Sequence, residues 1–265
     1  MGGVTTTDRR SALRAAAGLA AAGLAAATAL TGCSTPGPGA SAAAPPRGAS
    51  RAPSGTSAPA PRAFPGQPVQ IGSGPRTRPR VALTFHGHGD PATAHALLDA
   101  AEKHGARVTV LAVGTWLDAH PALARRVLDG GHDLGNHTQR HLDINAMPEE
   151  RAFAEIDECA RRLRDLTGSI GTWFRPSRAA RASPLVERLA RRAGYPHVLS
   201  YDVDSLDFTS PGAPAVTRAV TAGIRNGSVV SLHFGYTDTV AAFPSLLHAL
   251  DRRGLRAVTT TELLS

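Results

Sequence analysis

His137-Thr138-Gln139-Arg140-His141 sets two imidazoles four residues apart. In a helical or tight-turn backbone that spacing lets both rings reach one divalent cation, for which imidazole nitrogen is a ready ligand. The chain has 11 histidines, so the pair gains its weight from its company. Upstream stands Thr84-Phe85-His86-Gly87-His88-Gly89-Asp90. Downstream stand Phe174-Arg175-Pro176-Ser177-Arg178, Asp204-Ser205-Leu206-Asp207-Phe208 and Ser231-Leu232-His233. An imidazole titrating near pH 6.5 is both a competent base and a common neutral metal ligand, so His86 could fill either role. As a ligand it would complete a three-histidine site, His86, His137 and His141, with one open position. The base would then fall to Asp90 or His88.

These residues must be carried to one place by the elements between them. From Arg80 onward, short β-rich runs begin near Val81, Val108, His132, Trp173, Val198, Val229 and Ala257, with helical stretches or long loops between them. That alternation predicts a parallel α/β fold, and seven strands predict a distorted (β/α)7 barrel. In such a barrel functional residues gather at the strands' C-terminal ends, and His86, His137, Arg175, Asp204, Asp207 and His233 all fall there. Alternation along the first strand sets Val81, Leu83 and Phe85 against the helices and turns Ala82, Thr84 and His86 inward.

The rest of the chain is of a different kind. Residues 1–32 carry a twin arginine, Arg9-Arg10, and an Ala/Leu run from Ala15 to Leu30, the anatomy of an export signal too short for a permanent span. Leu30-Thr31-Gly32-Cys33 has the form of a lipobox, which predicts lipidation of Cys33 and anchoring to the outer face of the cell membrane. Residues 33–79, dominated by Pro, Ala, Gly and Ser, read as a disordered tether, and residues 80–265 as the catalytic domain. The net charge of +8 gives no case for nucleic acid. Its excess lies in Arg9, Arg10 and Arg14 against Asp8, and in Arg47, Arg51, Arg62, Arg76 and Arg78 with no acid between residues 33 and 78. Cys159 is the other cysteine, so a lipidated Cys33 leaves no internal disulfide; its amphipathic setting places it in the core. A monomer is expected.

From about Arg80 to Leu264 the chain resembles the polysaccharide deacetylases, carbohydrate esterase family 4, which share a NodB homology domain. The family's His-Ser/Thr-x-x-His is matched by His137, Thr138 and His141. Its Arg-Pro-Pro-Tyr appears as Arg175-Pro176-Ser177-Arg178, its Asp-x-x-Asp-Trp as Asp204 to Phe208, and its Leu-x-His as Leu232-His233. The resemblance implies metal-dependent hydrolysis of acetyl groups, with zinc or a similar ion at His137 and His141, on an acetylated polysaccharide. It further implies that His233 protonates the departing amine, that Asp207 orients His233, and that Arg175 holds the catalytic base. The departure lies in the first motif, Thr-Phe-Asp-Asp-Gly, whose two acids are the base and the third metal ligand. Here those positions hold His86 and Gly87. That departure keeps open an inactive, lipid-anchored glycan-binding descendant, and the same barrel could serve a small amide instead. Trp116, Trp173, Phe208 and Tyr236 are the candidate stacking surfaces for sugar rings.

Overall fold

The computed structural model describes residues 58–265. The signal-like segment 1–32, Cys33 and the tether as far as residue 57 lie outside the described residues. In chain order the elements are β1 (Gln70–Ile71), β2 (Arg80–Gly87), α1 (Pro91–Lys103), β3 (Thr109–Ala112), α2 (Gly114–Ala119), α3 (Ala122–Asp129) and β4 (Asp133–Asn136). There follow α4 (Glu149–Thr167), α5 (Pro184–Arg192), β5 (Val198–Leu199), β6 (Val203–Asp204), α6 (Ala213–Gly223), β7 (Val229–His233), α7 (Thr237–Arg252), β8 (Arg256–Ala257) and α8 (Thr260–Leu264).

The ladder runs β4-β3-β2-β7-β6, with β8 beside the start of β2. Phe174 bridges Asn136 of β4 to Val198 of β5, and β5 pairs with β1. Every ladder pairing is parallel, so the sheet curls into the expected distorted barrel with helices outside. The run near Trp173 contributes only the bridges at Phe174, and β1 and β6 are strands that the pattern of hydrophobic residues did not announce.

Local chemistry starts and stops the helices around this frame. Asp90 caps α1 by accepting from the N–H of Ala92 at 2.8 Å, and Pro91 follows at the first helical position, where its missing N–H costs nothing. Ala94, Leu97, Leu98 and Ala101 then form the buried stripe of α1 at helical spacing. They join the cluster that holds Val81, Leu83 and Phe85 on the outer face of β2. Gly168, at φ 79°, closes α4 in the left-handed region.

The domain boundary expected near residue 80 is too late. Phe64 and Ile71 are buried, and both belong to a cluster with Ala82, Trp173, Leu199, Val229, Val258 and Leu263 that fills the barrel toward the N-terminal ends of its strands. Phe64 stacks on Trp173 with ring centroids 5.3 Å apart, and its N–H donates to His197 Nε2 at 2.9 Å. Two large apolar side chains among many small ones suffice to fasten residues 58–79 to the domain.

Candidate active site

Register gathers the site. His86 of β2 lies beside His233 of β7 in the parallel ladder, while Ala112 of β3 pairs with Asn136, the last residue of β4. The C-terminal strand ends therefore deliver His86, His137 and His233 to one rim, with centroids 4.3 Å apart for His86 and His137 and 4.2 Å for His86 and His233.

The segment from His137 to His141 is a tight turn rather than a helix. Thr138 and His141 both take left-handed backbone angles, φ 69° and 55°, which residues with a Cβ adopt only where surroundings enforce them. The surroundings are visible. Thr138 N–H donates to Asn136 Oδ1 at 2.8 Å, and the carbonyls of Thr138 and Gln139 accept from Gly114 and Thr115 at 2.9 Å each. Ser177, standing where the family has its second proline, accepts from the Thr138 hydroxyl at 3.0 Å and donates to the Leu142 carbonyl at 2.5 Å. It is a positioning residue that the sequence pattern did not single out.

The turn brings a ligating atom from each of His86, His137 and His141 within 4.8 Å of the others. His137 is fully buried; its Nδ1 bonds the Arg175 carbonyl at 3.0 Å, and its Nε2 is buried with no hydrogen-bond partner. A carbonyl can only accept, so Nδ1 carries the proton and Nε2 presents a lone pair. Burial, followed by the charge of neighbouring imidazoles, holds His86 and His137 well below the ordinary histidine range. Burial and His88 bring His141 down to about 4. All three are thus neutral near pH 7, the form that binds metal, and the donor set fits a divalent cation.

Opposite them stands a second unit. Asp207, fully buried, accepts from His233 Nδ1 at 2.6 Å, from the His233 backbone N–H at 2.8 Å and from the Thr239 hydroxyl at 2.6 Å. Burial works to raise its pKa, but the His233 and Thr239 bonds outweigh that and leave it below the usual carboxylate value. With Nδ1 so engaged, His233 has Nε2 left for the cleft.

Arg175 is buried across the barrel interior. Its guanidinium donates to Thr84 Oγ1 at 2.8 Å and to the carbonyls of Leu199 and Ser200 at 3.2 and 3.0 Å. Burial brings it down to about 10, so it stays cationic at neutral pH. The family resemblance gives Arg175 the task of holding the catalytic base. Among the described residues its hydrogen bonds go to Thr84 and the β5 end. Tyr201 and Asp204 oppose the effect of burial and favour its charged form. Asp204 accepts from the Tyr201 hydroxyl at 3.4 Å and lines the cleft, as a carboxylate at a strand end should if it meets substrate.

The cleft, of about 460 Å³, is walled by His86, His88, His141, Asp204, His233 and Tyr236, with Arg178 and Phe208 at its border. Phe208 is 46% exposed, which suits a stacking surface. Trp116 and Trp173 are core residues, their indole N–H groups spent on the Gly89 carbonyl and Asp133. Asp90 is occupied as the cap of α1, and Cys159 is buried as expected. Gly87 faces away from the cleft. A Cβ there would lie 3.0 Å from Ala112 Cα and from Val110 Cγ1, so a side chain in that place needs its neighbours to give by a few tenths of an ångström.

The model of the family described as polysaccharide deacetylase matches residues 73–198. A peptidoglycan-N-acetylglucosamine deacetylase of Bacillus cereus is 31% identical over 194 residues, spanning 72% of this chain and 90% of that protein. A chitooligosaccharide deacetylase of Sinorhizobium fredii is 31% identical over 198 residues, spanning 66% and 87%. Among solved structures, a CE4 family pseudoenzyme from Bacillus anthracis superposes with a TM-score of 0.70 at 21% identity, covering 75% of this chain and 70% of that one. The peptidoglycan N-acetylglucosamine deacetylase Bc1960 superposes with a TM-score of 0.69 at 24% identity, covering 74% and 92%. Both likenesses are of fold.

Proposed function

Because the chain belongs to the polysaccharide deacetylase family, hydrolases of carbon–nitrogen bonds other than peptide bonds, we propose that it removes acetyl groups from an extracellular or cell-wall polysaccharide. The observation that carries this reading is one cleft with two units. Three neutral imidazoles whose ligating atoms lie within 4.8 Å of one another, one of them an unpartnered buried Nε2, adjoin an Asp207–His233 pair. Relatives named for N-acetylglucosamine and chitooligosaccharide favour an N-acetylated amino sugar as substrate. O-deacetylation passes through the same oxyanion and stands second.

His86, His137 and His141 would hold a divalent metal, and three imidazoles with an open position suit zinc. Such an ion supplies Lewis-acid polarisation of the amide carbonyl and a more acidic water. The remaining steps belong to the chain. With His86 spent as a ligand, the base is Asp204, a cleft-lining carboxylate that takes a proton from the attacking water. As the carbon–nitrogen bond breaks, His233 gives its Nε2 proton to the leaving amine, and Asp207 fixes the ring and steadies its cationic form. Phe208 and Tyr236 offer faces for sugar rings. We further propose that the protein is exported and held as a monomer on the outer face of the membrane through lipidated Cys33.

One observation favours a second reading. Both first-motif acids are replaced, by His86 and by a tightly packed Gly87, which suits a glycan-binding pseudoenzyme. The test is metal content and turnover measured together. His137→Ala with His141→Ala should abolish stoichiometric zinc, and His86→Ala should lower zinc affinity by about 10-fold or more together with activity. Zinc retained at full affinity in His86→Ala would make that imidazole a base or a bystander. Tight glycan binding without turnover by the zinc-loaded protein would establish the pseudoenzyme.

A further inference from the structure

The end of the barrel opposite the cleft has its own chemistry. All strands are parallel, so the residues that precede them share one face, and there the chain places an unusual density of arginine. Arg76, Arg225 and Arg253 surround a shallow depression with Asn226 and Leu255, and Arg80, Arg107 and Arg256 surround a smaller one beside it. The two adjoin: Leu255 of the first is followed in the chain by Arg256 of the second, and Gly227, next to Asn226, donates its N–H to the Arg80 carbonyl at 2.7 Å.

Part of this charge is internally balanced. Arg76 meets Asp202 at 2.7 Å and Arg107 meets Glu262 at 2.5 Å. The rest is not. Arg225, Arg252 and Arg256 are exposed and pair with no carboxylate among the described residues, while Arg253 reaches only the Ile224 carbonyl at 3.5 Å. Holding unpaired guanidinium groups together costs repulsion that an anionic partner would relieve.

The position of this face adds a second argument. The described chain enters the domain here: Ala58 N–H donates to the Thr167 carbonyl at the C-terminal end of α4, and Arg62 bonds the hydroxyl of Ser265, the last residue. The chain that precedes it brings Arg47 and Arg51 and no acid between residues 33 and 57. Basic side chains where the described chain enters the domain, on the side away from the cleft, suit a planar anionic partner that leaves the cleft uncovered.

We propose that this arginine face docks on anionic phospholipid headgroups and thereby turns the active-site cleft away from the membrane. Guanidinium groups match phosphate oxygens in bidentate geometry, and each basic residue at a charged bilayer adds attraction that decays within a Debye length.

The experiment uses the full chain with Cys33→Ala, so that acylation cannot contribute, and sediments it with vesicles of phosphatidylcholine alone or mixed with phosphatidylglycerol. Binding is expected only to the mixed vesicles, weakening as salt rises. In Arg225→Glu/Arg253→Glu/Arg256→Glu it should fall by more than about 100-fold, since removing three such cations alone accounts for that much and the new carboxylates add repulsion. The melting temperature and zinc content should be unchanged, because these side chains lie at the surface. Arg225→Gln/Arg256→Gln should give a smaller loss in the same direction, and Arg47→Ala/Arg51→Ala should keep most of the binding. Equal binding of parent and triple variant, equal binding to neutral vesicles, or binding to soluble polyphosphate but not to vesicles would overturn the proposal.

Discussion

At the residue scale, the site sorts its imidazoles by what their second nitrogen touches. His137 gives Nδ1 to a carbonyl and keeps Nε2 bare, whereas His233 gives Nδ1 to a carboxylate. The first arrangement makes a ligand and the second a proton donor. Asp207→Asn should therefore lower kcat by about 100-fold, since the amide cannot steady the imidazolium, while zinc content stays at the wild-type level. Loss of zinc along with activity would mean that Asp207 supports the fold of the site rather than the acid. His137, His141, Asp207 and His233 were all legible as motif residues. Asp204 was legible as a strand-end carboxylate but without a role, and Ser177 was not singled out, because its role comes from Thr138 and Leu142, distant in sequence.

At the element scale, the strand runs were readable wherever a hydrophobic stretch was long, as in Arg80–Gly87 and Val229–His233. Two-residue strands such as Gln70–Ile71 and Val203–Asp204 have no periodicity to detect; they exist because a neighbouring strand supplies the pairing. The same limit explains the misplaced boundary, because a composition dominated by Pro, Gly and Ser conceals that Phe64 and Ile71 are enough to seal a barrel end. Phe64→Ala removes a ring stacked on Trp173 and should cost about 3 to 5 kcal/mol in urea unfolding. A chain starting at Arg80 should be less stable still. A change within error in both would show that residues 58–79 rest on the domain without supporting it.

At the scale of the whole molecule, the cleft and the chain's point of entry occupy opposite ends of one barrel. An anchored protein built this way can hold its site away from its attachment. No helix among the described residues is long and apolar enough to cross a membrane. The proposed anchor is a lipidated Cys33, so Cys33→Ala should move the protein from the membrane fraction to the soluble one with its melting temperature unchanged. Retention on the membrane would refute lipidation there. The central claim, that His86 joins His137 and His141 at a position where the family has an acid, meets its most direct test in one assay. The metal-free full chain is given one equivalent of zinc and an N-acetylglucosamine oligomer, and released acetate is counted against newly exposed amine. The account predicts equal amounts of both, appearing only with zinc and lost by at least about 100-fold in His86→Ala. No acetate from the zinc-loaded chain, or undiminished release from His86→Ala, would contradict it.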